Sequence, residues 1–107
     1  MTQQEIQERN KQIALMLGYK TTWLDKLFYT WKCRFLYDWN LLMEAIEFIE
    51  KLNKIEDCNK YDVSICLNKV KIDTTDKEIV WTKAVTKKEA VFIAVSDFAK
   101  LYNEKKL

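Results

Sequence analysis

The chain has no proline, no histidine and a single glycine, Gly18. Each absence removes a class of chemistry. Without histidine, no imidazole serves as acid, base or metal ligand near neutral pH. Such work would pass to carboxylates, lysine, tyrosine or cysteine. One glycine cannot build a Walker loop or a dinucleotide fingerprint, both of which need several. The cysteines, Cys33, Cys58 and Cys66, are odd in number and lack C-x-x-C spacing. A disulfide framework is not expected, nor is a zinc site, which takes four ligands. The three are read as reduced thiols of a cytoplasmic protein. No apolar run approaches the roughly 20 residues of a membrane span. Residues 1–11 are polar, so a secretory leader is not expected either.

What is present describes a folded chain. At 107 residues the expectation is one domain, 1–107. A chain of this size buries roughly 60–70% of its unfolded surface, enough for a core without staples. Hydrophobic residues make up 49% of it, which argues against disorder. The net charge is +2, from 18 basic and 16 acidic residues. That is too small to make the whole protein a polyanion binder. It equally excludes a nucleic-acid mimic, which needs a large acidic excess.

Half of the aromatics fall between Trp23 and Trp39. Within that segment Tyr29, Trp31, Cys33, Phe35, Tyr37 and Trp39 occupy every second position, and the residues between begin Thr30, Lys32, Arg34. A period of two predicts a strand over about 27–37, one face packed and one wet. A further short strand is expected over 19–23.

Three helices are predicted. The first covers residues 3–17, with Thr2 and Glu5 as a capping box and Gly18 just past its end. Its first two turns are polar and are expected to project beyond the core. The second covers 39–52 behind the N-cap Asp38, with Leu42, Ala45, Ile46 and Ile49 inward. Glu47–Lys51 and Glu50–Lys54 have the spacing of helical ion pairs. The third starts at the Thr86–Glu89 capping box and carries Val91, Ala94, Val95, Phe98, Leu101 and Tyr102 on one face. Between the last two helices, 53–60 reads as a polar linker. Residues 61–68 alternate, and Val70 and Ile72 continue out of phase. A two-residue turn at Asn68–Lys69 would set Leu67 opposite Val70 and Ile65 opposite Ile72; a bulge explains the slip equally. Residues 73–77 form a turn, and 78–83 a further strand. The fold class is therefore α+β: an antiparallel sheet of three to five strands with three helices packed on it.

Several of these pieces resemble the phage ABA sandwich domain family of small phage and prophage proteins. They are residues 13–20 (IALMLGYK), 38–52 (DWNLLMEAIEFIEKL), 61–65, and 86–98 with its T-x-x-E-A start. The resemblance spans nearly the whole chain and rests on caps and core positions. It implies an α-β-α sandwich-like arrangement, a phage or mobile-element origin, and action in the bacterial cytoplasm. It carries over no catalytic residue.

The candidate binding residues are Lys32 and Arg34, on the polar phase of the aromatic strand, and Phe92, off the main stripe of the last helix. Arginine is a frequent interface anchor. Phe92 would be partly exposed if helices cover only one sheet face, and core if a second layer covers it. Glu44, Glu47 and Glu50 read as a solvated helix face rather than a metal or catalytic group. Cys33 and Cys66 read as small core or strand residues. Neither catalysis nor a cofactor is expected. The expected role is binding a host protein or ribonucleoprotein, as an inhibitor of bacterial defence such as an anti-CRISPR protein. That follows from the resemblance, since small proteins of such elements often oppose host defence. The alternatives are a nucleic-acid-binding module using Lys32, Arg34 and the lysines of the last helix, or a nucleotide-signal sponge with its pocket between protomers. A homodimer stays open.

Overall fold

Cap chemistry sets where each helix begins. A computed structural model describes residues 1–18, 35–54, 59–74 and 77–107, and the side chains of residues 53, 54, 59 and 60 lie outside it. Helix α1 is Gln3–Met16, α2 is Trp39–Lys51 and α3 is Lys87–Asn103. The Thr2 hydroxyl accepts from the Glu5 amide at 3.1 Å, and Thr86 does the same for Glu89 at 3.2 Å. Asp38 accepts from the amides of Asn40 and Leu41. Each cap satisfies donors that the first turn leaves free, worth about 1 kcal/mol apiece. Gly18 follows α1 at φ +86°, the left-handed position that ends a helix.

The strands are β1 (Asn53–Lys54), β2 (Asn59–Lys60), β3 (Asp62–Cys66), β4 (Lys69–Asp73) and β5 (Glu78–Lys83). Among the described residues β3, β4 and β5 form an antiparallel sheet in that order, and β1 and β2 form a separate antiparallel ladder. With three helices this is an α+β fold. Residues 53–60, expected as a linker, therefore pair at their two ends.

The β3–β4 register corrects the expectation. Ile65 lies opposite Val70 and Val63 opposite Ile72, so the turn is Leu67–Asn68, one residue earlier. Both registers leave Val63 and Ile65 on the same sheet face. Alternation therefore cannot choose between them. Asn68 chooses. Its amide side chain donates to the Ala84 carbonyl, and its own carbonyl accepts from the Ala84 amide. The turn is thereby clamped to the end of β5, with Leu67 held at φ +54°.

The inner face of the sheet presents Val70, Ile72, Val80 and Thr82, all buried. Helix α3 packs on β4 and β5, α2 packs on α3 and β3, and α1 packs on α3. The described helices thus stack on one side of the sheet, with α3 in the middle. That position explains why α3 is buried nearly all round: Val91, Ala94, Val95 and Phe98, but also Phe92, Ser96 and Ala99. Phe98 meets Tyr61 edge-on at 5.1 Å, and Tyr102 meets Phe48 edge-on at 5.9 Å. A fully buried ring or branched chain of this kind contributes about 1.5–3 kcal/mol.

Three further expectations change. Phe92 is 0% exposed, so it is core and not a half-exposed anchor. Ser96 and Ala99 share its stripe, and α1 covers that stripe. The start of α1 does not project, because Ile6 and Asn10 are buried. The aromatic strand does not reach Tyr37: residues 35–37 are a turn. Phe35 is fully buried there while Tyr37 is 61% exposed, which a strand placing both on one face would not give. The rest of that strand, including Lys32 and Arg34, lies outside the described residues, as does the short strand expected over 19–23. Of the helical ion pairs, Glu47–Lys51 is not formed among the described residues, consistent with two exposed chains on a wet face.

Candidate binding face

Directly paired residues in a sheet point to the same side. With Val70, Ile72, Val80 and Thr82 inward, the opposite phase faces out. Register then arranges that outer face in three rows across the strands. One row is Asp62, Asp73 and Glu78. The next is Ser64, Lys71 and Trp81, and the last is Cys66, Lys69 and Lys83. Successive rows are two residues apart along β3 and β4, about 7 Å. A register shift between Ile72 and Asp73 brings Glu78 opposite Asp73, leaving Ile79 as the extra residue.

The face is polarised from end to end. Three carboxylates stand at one end and two lysines at the other, each like pair directly opposed. Like charges placed opposite one another are unfavourable, so both rows cost stability. One bond relieves the acidic row: Lys71 Nζ lies 3.2 Å from the Asp73 carboxylate. Nothing comparable relieves the basic row, since neither Lys69 nor Lys83 is in an ion pair among the described residues. Trp81 stands between the two ends, and it is 55% exposed. An indole on the wet phase of a strand, beside three lysines, is the least expected group on the sheet.

The basic end continues past the sheet. Beyond Lys83 the chain passes the exposed Val85 to Lys87 and Lys88, the first two residues of α3. Cations at a helix N-terminus oppose the macrodipole, at a few tenths of a kcal/mol each. Leu67, 77% exposed, caps the hairpin at the same end. Cys66 is a strand residue at the end of β3, a free and exposed thiol and not part of the core.

A second cluster joins α1 to α3. Arg9 Nη1 donates to Asp97 Oδ1 at 2.7 Å and to Ser96 Oγ at 2.8 Å. Ser96 Oγ in turn donates to the Ile93 carbonyl at 2.9 Å. Asn103 Nδ2 donates to the backbone and side-chain oxygens of Gln12. Arg9, Gln12, Ser96 and Asp97 line an open groove of about 210 Å³ together with Glu5, Glu8 and Lys100. Its charges are mixed, and one pair of them, Arg9 and Asp97, is spent on holding two helices together.

Of the sequence candidates, Phe92 is removed from any surface, and Lys32 and Arg34 fall outside the described residues. Sequence reasoning missed Trp81, Lys69, Lys71 and Lys83. A signal was present: Lys69, Lys71 and Lys83 alternate with Val70, Ile72 and Thr82, and Trp81 shares the phase of Lys83. Among the described residues no group of three or more His, Cys, Asp or Glu is placed to hold a metal ion, and no helix is long and apolar enough to cross a membrane. Comparison with family models, curated proteins and solved structures finds no match.

Proposed function

We propose that the protein acts by binding and not by catalysis, and that the outer face of its sheet is the recognition surface. The partner is a host nucleoprotein, and the setting implied by the resemblance is inhibition of bacterial defence, with a CRISPR effector as the leading target. The observation that carries this reading is Trp81, more than half exposed on the outer face of the sheet beside Lys69, Lys71 and Lys83. Large aromatics on fixed backbone, ringed by polar groups, supply most of the energy in many interfaces. The unrelieved lysine row adds an anionic preference. A surface kept at a stability cost, on an otherwise well-packed domain, is what a binding site requires.

The test compares capture from bacterial lysate by the tagged protein and by its Trp81→Ala and Lys69→Glu variants, all shown to be folded. The wild type retains a nucleoprotein that both variants lose. Identical retention by all three proteins contradicts the assignment of this face.

A further inference from the structure

The outer face combines two recognition elements that seldom coincide without a polyanionic, ring-bearing ligand. One is a platform for stacking, Trp81 on β5. The other is a pair of cations at one end of the same face, Lys69 and Lys83, with Lys71 beside Trp81 in the middle row. We infer that the ligand of this face is a single strand of nucleic acid, crossing the sheet at its basic end. One base stacks on Trp81, and the flanking phosphates lie over Lys69 and Lys83. This rests on the reading of the outer face as the recognition surface, and it names the chemistry recognised there.

Three features select a strand over other occupants. A duplex hides its base faces, whereas a single strand offers one to every aromatic ring it passes. The acidic row Asp62–Asp73–Glu78 repels phosphate about 7 Å from the Trp81 row, so the backbone is confined to one end and given a direction. A second copy of this chain would match acidic row to basic row, but it would also set Lys71 against its own counterpart.

The small number of contacts sets the scale. With about three phosphates held, affinity for a single strand falls about 20-fold between 50 and 200 mM salt. Such binding is weak on free oligonucleotide, which agrees with a net charge of +2. Tight association then comes from a nucleoprotein that adds protein contacts.

The experiment is fluorescence anisotropy with labelled 12-mers of oligo(U) and oligo(dT), and with a 12-base-pair duplex, across that salt range. Expected are preference for a single strand over the duplex and the stated salt dependence. Trp81→Ala binds about ten-fold more weakly, while Trp81→Phe keeps most of the affinity. Lys69→Glu with Lys83→Glu reduces both the affinity and the salt slope, and Trp39→Ala on α2 changes neither. Far-UV circular dichroism confirms that each variant is folded. The inference is overturned if neither single strand binds at 50 mM salt, if the duplex binds equally well, or if the Trp81 and lysine variants bind as the wild type does. Sedimentation showing a dimer that Lys83→Glu dissolves overturns it in favour of a second copy. If nucleoprotein capture depends on Trp81 yet survives nuclease and no oligonucleotide binds, the inference falls and the face assignment stands. If capture ignores Trp81, both fall.

Discussion

Asn68 and Ala84 hold each other twice, side chain to carbonyl and amide to carbonyl, across the end of the sheet. This pair fixes the hairpin turn and the β3–β4 register, and so decides which residues share a row on the outer face. Asn68→Ala removes the side-chain half. The expected loss is about 1 kcal/mol, with the Ala84 carbonyl losing a donor. Urea unfolding read as a lower midpoint at unchanged slope checks it. An unchanged midpoint would mean that the backbone bond alone sets the turn.

The basic row gives a prediction with opposed signs. Lys69 and Lys83 are directly opposite. Lys69→Glu replaces a repulsive pair with an attractive one and is expected to raise stability by about 0.5 kcal/mol. The same change removes a cation from the recognition surface and lowers binding several-fold. Thermal unfolding and binding measured on the same preparation show whether the two move in opposite directions. Loss of stability would contradict the pairing on which the face is built.

Phe92 and Trp81 should separate folding from recognition. Phe92 is sealed beneath α1, and Phe92→Ala is expected to cost about 3–5 kcal/mol. That is a large share of the roughly 5–15 kcal/mol available to a domain. Trp81→Ala is expected to cost about 1 kcal/mol or less, as exposed substitutions do. Chemical denaturation of both variants distinguishes them, and similar losses would show that Trp81 is a structural residue.

Arg9 is the main polar link between α1 and α3. Arg9→Met keeps the aliphatic stem and removes the bonds to Ser96 and Asp97, and is expected to cost about 1–2 kcal/mol. In an Asp97→Asn background the same substitution should cost less, since the charged partner is already gone. A double-mutant cycle measures that difference. Full additivity would mean that Arg9 acts through packing alone.

The helices were legible because their ends are written in single residues. Thr2, Asp38 and Thr86 each accept the amide bonds their side chains suit, and Gly18 takes a left-handed position just past the end of α1. Strand β5 was legible over its full length. The β3–β4 register was not, because a shift that keeps Val63 and Ile65 on one sheet face leaves no trace in the alternation. Long-range hydrogen bonds from Asn68 settled it, and sequence periodicity does not encode them. Phe92 was misjudged for a related reason. A helical stripe shows that a face is apolar enough to bury, but what covers a second stripe depends on where α1 docks. Arg9, Ser96 and Asp97 define that docking, and they are separated by more than 80 residues in sequence. Trp81 was missed because its strand places polar and apolar residues on both phases, and only pairing with Lys71 shows which way the indole points.

The outer face is tested at residue resolution by a two-dimensional ¹H–¹⁵N titration of the protein with oligo(U). The expected shifts cluster at Lys69, Lys71, Lys83 and the Trp81 indole, with Arg9, Lys100 and the helix α2 amides unmoved. Shifts centred on the α1–α3 groove, or on α2 with the Trp81 indole unchanged, would contradict the assignment.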